Sequence, residues 1–339
     1  MPHKSFGVEC NQDCKHYVPT NGNVLIIKLG AMGDVIRTTP LLDRICQRDP
    51  EVRIFWLTRF PEILPKSVDW PIPFTLESIT WLRSIPFKLS INLDKDPEAC
   101  AILDQCQSFE KAGFGLTNGM PGPINKSAEQ KFLTGISDEY SRKNKKHYLE
   151  EIFEICGWNF DGEHYQLPEP CTNRRIEDYH PQEKVIGLNT GCGSRWKTRL
   201  WPEKYWIELS RLLLSKGFRP ILLGGPDEDE KNARIASTTG ADYLGVFPIL
   251  EFIGLMEKCE LVVSAVTMAM HIAIGLNKPL VLFNNIFNPC EFYFYQDSII
   301  LSPSKHCDCF YLPECLHGES CMKDLSVKSV FEAVEKLMK

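Results

Sequence analysis

Short apolar runs alternate with stretches of helical periodicity along this chain, and that alternation limits the fold more than any other feature. Val24-Leu25-Ile26-Ile27 is a run of the kind that forms a strand buried on both faces of a parallel sheet. Gly30 and Gly33 punctuate it. From Asp34 the apolar positions Val35, Leu41, Leu42 and Ile45 recur at helical spacing, with Asp34 placed to cap the start. Further strands are expected at 52–57 and 88–93 and ending at Gly113-Phe114-Gly115, with helices at 97–107 and 147–158. A second series begins near Lys184, with strands at 184–188, 219–223, 261–264 and 280–283 and helices at 202–215, 229–237, 252–258 and 268–276. Helices between strands are the crossovers of a parallel sheet, so the pattern predicts an α/β fold of two doubly wound units with a cleft between them.

A length of 339 residues accommodates two domains of ordinary size. The proline-bearing stretch Asp161 to Gln182 separates the two series and reads as a linker. The expected division is a cysteine-bearing segment 1–20, a first domain 21–165, a linker 166–182, a second domain 183–322 and a C-terminal helix 323–339. In that helix Val327, Val330, Val334 and Leu337 share one face. The stretch Gly115 to Asn144, rich in Gly, Pro, Asn, Ser and Lys, has no sustained period and is expected to be a long surface loop.

A formal net charge of -6 argues against a nucleic-acid partner, which calls for a basic surface. The longest apolar stretch, Leu261 to Leu276, is broken by Ser264, Thr267 and His271 and falls short of the roughly 20 residues that span a bilayer. The N-terminus shows no charged segment followed by an apolar core, so no secretory signal is expected. Cytoplasmic residence follows, with peripheral attachment to the inner membrane left open.

Lys28-Leu-Gly-Ala-Met-Gly-Asp34-Val-Ile-Arg-Thr-Thr-Pro40 sets an acid where a glycine turn meets a helix start, at the carboxyl end of a strand. Open α/β sheets bind ligands there. A helix cap explains Asp34 as well as a catalytic role does. The block nevertheless resembles the N-terminal signature of glycosyltransferase family 9, the bacterial ADP-heptose:lipopolysaccharide heptosyltransferases, in which this aspartate is the catalytic base. Asn189-Thr190-Gly191 and Lys197-Thr-Arg199-Leu-Trp201-Pro-Glu203 are similar to that family's phosphate loop and to its basic residue two positions before a Trp-Pro pair. Leu223-Gly-Gly-Pro-Asp-Glu228 resembles its ribose-contacting turn, and Thr267-Met-Ala-Met-His271-Ile-Ala273 the start of its donor-binding helix.

The resemblance implies a GT-B architecture of two Rossmann-like domains, the first for acceptor and the second for donor. It implies inverting transfer of a heptose from an ADP-activated donor to a hydroxyl of lipopolysaccharide inner core or of a protein, with no catalytic cofactor. Asp34 would take the acceptor proton. Arg199, with Lys197 as the alternative, would meet the leaving diphosphate, helped by Gly33, Thr190, Gly191, Thr267, Met268 and His271. Glu228 would accept from ribose hydroxyls. Each has an ordinary reading as well: Arg199 as a surface charge, His271 as a core histidine, Glu228 as an acidic helix start. The chain departs from the family in carrying Val266 where an aspartate precedes the donor-helix threonine, and Asn284-Asn-Ile in place of Gly-Pro-Thr. Two other functions fit the same scaffold: a nucleotide-sugar epimerase, and a catalytically silent binding or assembly subunit.

Fourteen cysteines in a mid-sized chain without an export signal favour thiols and metal ligands over disulfides. Cys307, Cys309, Cys315 and Cys321 lie close together near His306 and His317, and Cys10 and Cys14 form a second pair that could complete the same site. Such soft ligands suit a structural zinc or iron. The tail is similar to the metal-binding cysteine group of transferases that modify autotransporter proteins. Reduced free thiols are the plainer alternative.

Overall fold

The computed structural model describes residues 2–9, 14, 20–193, 195–305 and 307–339. Two sheets organise them. The first contains β1 (Asn23–Ile27), β2 (Arg53–Thr58), β3 (Trp70–Pro73), β4 (Pro86–Asn92), β5 (Gln107–Thr117) and β6 (Met120–Pro123) in the order β3-β2-β1-β4-β5-β6. All its pairs are parallel except the β5–β6 hairpin. The second contains β7 (Lys184–Asn189), β8 (Phe218–Leu223), β9 (Leu261–Ala265), β10 (Leu280–Phe283) and β11 (Ser298–Leu301) in the order β11-β10-β9-β7-β8, parallel throughout.

Composition explains which strands are central. β1 pairs with β2 on one side and β4 on the other, and its alternate residues enter different cores: Val24 and Ile26 pack on one face, Leu25 and Ile27 on the other. A strand covered on both faces must be apolar at every position, which is what the run supplies. Strand order reverses at β1 in the first sheet and at β7 in the second, and the loops after those strands splay apart to leave a crevice.

Several elements differ from the sequence expectation. The helix expected from Asp34 onward is two, Met32–Ile36 and Leu41–Arg48. Pro40 has no amide to continue the ladder, and the hydroxyls of Thr38 and Thr39 donate to the freed carbonyls of Asp34 and Ile36, each at 2.7 Å. The stretch Gly115 to Asn144 is no bare loop. It completes the β5–β6 hairpin and adds helices Glu129–Ile136 and Asp138–Lys143, anchored where Phe132 meets Phe114 at 6.0 Å between centroids. β3 (Trp-Pro-Ile-Pro) and β11 are short edge strands, and prolines that disguise β3 are tolerated only at such an edge. The final helix, Val327–Leu337, forms as its apolar face leads one to expect and packs on the second half. Val330, Phe331 and Val334 pack in one cluster with Trp201, Trp206 and Phe283 of the second half. Among the described residues no helix is long and apolar enough to cross a membrane.

Candidate active site

The carboxyl ends of the central strands open onto a cleft of about 750 Å³ lined by both halves of the chain. Asp34 and Arg37 enter from the helix after β1. Arg199, Glu228 and Met268 enter from the segments after β7, β8 and β9. The two halves approach closely at Gly33, where an added Cβ would stand 2.7 Å from His271 Cδ2 and 3.4 Å from Met268 Cα.

Asp34 occupies the third position of the helix Met32–Ile36 rather than its cap. One carboxylate oxygen accepts from the Ala31 amide at 3.2 Å, and the other meets the Arg37 guanidinium at 2.7 Å. Burial opposes the charge, but Arg37, Lys28 and the Ala31 amide outweigh it and hold the carboxyl at about 2. Lys28 is itself buried against Asp94, whose second oxygen accepts from the Leu29 amide. Arg37 lies 3.6 Å from the centroid of the Tyr148 ring, which fixes its plane. The result is an ionised carboxylate, half-buried, held on the wall of the cleft.

Arg199 is the opposite case. It is only 8 % exposed. It donates to backbone carbonyls, of Val266 and, at 3.3 Å, of Cys192, and its Nε is buried without a hydrogen-bond partner among the described residues. The Trp196 and Phe287 rings flank it at 4.9 and 5.4 Å. No carboxylate pairs with it among the described residues, and burial lowers its pKa to about 10, so it remains a cation at neutral pH. A buried cation without a counter-ion on the wall of a cleft is a place for an anion.

The other expected residues divide. Gly191 lies against the Glu228 carboxylate so closely that an added Cβ would be 2.1 Å from its Cδ, and Glu228 accepts from the Gly225 amide at 3.0 Å. Thr267 begins the helix Met268–Gly275, and its hydroxyl shares Asn189 Nδ2 (3.3 Å) and Ser264 (3.1 Å). His271 is buried on that helix with Nδ1 unpartnered among the described residues, and it stacks on Tyr165 at 6.1 Å. Burial, reinforced by Arg37, lowers its pKa to about 3, so the ring is neutral. Thr190 is buried beneath the loop with its hydroxyl bound to Asn232 at 2.6 Å, and it does not line the cleft. Lys197 points outward, 4.0 Å from Glu314.

Four residues to which the sequence assigned no role of their own matter here. Arg37 stands three positions after Asp34, an ion-pair spacing that could have been recognised. Asn189, which donates to Gly191 O at 3.1 Å and to Ser264 and Thr267, ties the β7 loop to the donor helix. Glu291 and Tyr311 line the same cleft from the segments after β10 and β11, and nothing local marks them.

In the tail, Cys309 Sγ lies 3.7 Å from Cys315 Sγ, and Cys321 Sγ accepts from Asn285 Nδ2 at 3.4 Å. Among the described residues no group of three or more acidic, histidine or cysteine side chains converges as a metal shell. Cys14 is described as a free thiol, whereas Cys10 and His306 fall outside the described residues.

Residues 125–305, more than half the chain, match the family described as glycosyltransferase family 9 (heptosyltransferase). Lipopolysaccharide heptosyltransferase 1 of Escherichia coli K12 is 25% identical over 289 residues, covering 76% of this chain and 85% of its own. Among solved structures, the E. coli heptosyltransferase WaaC with ADP superposes with a TM-score of 0.64 at 17% identity, covering 93% of this chain and 99% of its own. The iron-containing dodecameric glycosyltransferase TibC from enterotoxigenic E. coli superposes with a TM-score of 0.59 at 12% identity, covering 95% of this chain and 79% of its own.

Proposed function

Because the chain belongs to glycosyltransferase family 9, we propose that it moves a heptose from an ADP-activated donor to an acceptor hydroxyl, of lipopolysaccharide inner core or of a protein, with inversion at the anomeric carbon. One observation carries this reading: a single cleft holds an ionised carboxylate from the first half, Asp34, and an uncompensated buried cation from the second, Arg199. Inverting transfer needs both. The carboxylate receives the acceptor proton as the new bond forms, on the face of the sugar opposite the leaving group. The cation meets negative charge growing on the departing diphosphate.

The chain's own residues supply the rest. The start of the helix Met268–Gly275 offers backbone amides to the diphosphate. The missing side chain at Gly191 leaves room for the Glu228 carboxylate, whose remaining oxygen would accept from ribose hydroxyls. Arg37 keeps Asp34 ionised and aimed, and Val266 contributes its carbonyl, which orients the Arg199 guanidinium. The tail thiols Cys307, Cys309, Cys315 and Cys321 would hold a structural zinc or iron. A tetrahedral thiolate shell with metal–sulfur bonds of about 2.3 Å sets its sulfurs roughly 3.8 Å apart, close to the separation of Cys309 and Cys315.

Purified protein incubated with ADP-heptose and a heptose-free core acceptor should release ADP in step with glycosylated product. Asp34→Asn should lower that rate by about a hundredfold or more while leaving ADP-heptose affinity intact. Rapid conversion of the donor to an epimer without acceptor would instead establish the epimerase reading. An unimpaired Asp34→Asn enzyme would remove Asp34 from the chemistry.

A further inference from the structure

The cleft contains a second carboxylate that the transfer chemistry does not use. Glu291 ends the turn Pro289–Glu291 that follows β10, and it lines the same space as Asp34 and Arg37. The Tyr311 hydroxyl donates to its Oε1, and its Oε2 accepts no hydrogen bond among the described residues. An acceptor oxygen held in place at the wall of a ligand cleft has capacity for a donor from the ligand.

Electrostatics say which part of the ligand. Glu291 acts on Arg37: burial opposes the Arg37 charge, and the Asp34 and Glu291 carboxylates are among the groups that overcome it. Arg199 instead donates to the backbone carbonyls of Val266 and Cys192 and pairs with neither carboxylate among the described residues. The Phe287 ring borders both, 5.4 Å from the Arg199 guanidinium and 4.9 Å from the ring of Tyr311, whose hydroxyl holds Glu291. The cleft therefore has a cationic end at Arg199 and an end with two carboxylates and one guanidinium. A diphosphate is drawn to the first and repelled by the second. The polyhydroxyl part of the same donor, neutral and rich in O–H groups, fits the second.

The carboxylate is also pre-set. Tyr311 has φ +52°, an uncommon conformation for a residue with a side chain, and it is held there by its amide donating to Ile286 O at 3.0 Å. Its ring is wedged edge-on between Phe287 and Phe310 at 4.9 and 4.7 Å. Fixing the acceptor before the ligand arrives removes an ordering cost from binding.

We propose that Glu291, positioned by Tyr311, recognises hydroxyl groups of the transferred sugar and so sets which sugar the enzyme accepts. This rests on the donor reading above. It assigns Glu291 to sugar recognition and Tyr311 to positioning, with neither moving a proton in the reaction.

The test compares ADP with ADP-heptose by titration calorimetry in the wild type, Glu291→Gln and Tyr311→Phe, with steady-state transfer measured alongside. Glu291→Gln should weaken ADP-heptose by about tenfold to a hundredfold, the range of a hydrogen bond to a charged acceptor, and leave ADP affinity unchanged. Tyr311→Phe should shift the same ratio in the same direction by less. An equal loss for both ligands, or none for either, overturns the proposal and leaves the donor reading standing. So does a fall in kcat at unchanged ADP-heptose affinity, which would place Glu291 in the chemistry. A wild type that binds neither ligand overturns the donor reading and this proposal together.

Discussion

Arg199 and His271 are both buried in the cleft wall, yet burial acts on them with different consequences. Desolvation lowers each pKa, but Arg199 begins so high that it stays charged at about 10, whereas His271 is driven to about 3 and is neutral. Arg199 is thus a standing cation without a counter-ion, and it costs stability until an anion arrives. Arg199→Met should therefore leave the free protein as stable as wild type or more so, while lowering ADP affinity by about tenfold or more. Thermal melts with and without ADP would check both halves, and a variant with unchanged ADP affinity would contradict the assignment. For His271 the sign follows from proton counting. The unfolded chain binds a proton below about 6.5 and the folded one only near 3, so stability is full above 6.5 and declines as pH falls between those values. The slope is at most about 1.4 kcal/mol per pH unit. Urea unfolding from pH 7 to pH 4 should show a shallower decline in His271→Gln than in wild type.

At the scale of elements, the contact between the helices Met32–Ile36 and Met268–Gly275 sets how near the two halves stand. Gly33 permits it. Alanine is the better helix former there by about 0.5–1 kcal/mol, but its Cβ would reach 2.7 Å from His271 Cδ2, so the ring or the helix must give way. Gly33→Ala should keep a thermal midpoint near wild type and lose transfer rate by about a hundredfold, because a displacement of about 1 Å between reacting groups is enough. A loss of stability at full activity would contradict this. The elements themselves were largely readable: β1, β7, β9 and β10 are buried at nearly every position, and their central residues form short apolar runs because both faces are covered. What escaped was set by neighbours. β3 is hidden by its prolines, and the segment from Gly115 to Asn144 takes its helices from packing against Phe114 and the rest of the first half. The same divide runs through the site. Asp34 and Arg199 sit in local patterns, whereas Glu291 and Tyr311 are twenty residues apart and meet only because the tail folds back over the β10 turn.

The tail links every part of the molecule. Thr198, beside Arg199, donates its hydroxyl to Leu312 O at 3.0 Å and its amide to Pro313 O at 3.3 Å. Arg142 of the first half covers the Phe310 ring at 4.0 Å, and Asn288 donates to Ser141 O and Asn144 O at 2.7 and 2.9 Å across the two halves. Between β11 and the 3₁₀ turn Cys321–Asp324 the tail has no helix or strand among its described residues, so its own backbone bonds do little to fix it. A metal bound by the four thiolates would close that segment and, through Thr198, Tyr311 and Arg142, hold the cleft in shape. Binding that occurs only in the folded state adds directly to stability. Elemental analysis of purified protein should then find about one zinc or iron per chain. A strong chelator, or Cys309→Ser with Cys315→Ser, should lower the thermal midpoint by roughly 5 °C or more and slow transfer more than it weakens ADP binding. The reason for that last difference is where the tail reaches: it supplies Tyr311 to the sugar end, whereas at the diphosphate end it contributes neighbours of Arg199 such as the partners of Thr198. Metal-free protein with full activity and an unchanged midpoint would reduce these cysteines to buried thiols that fill space.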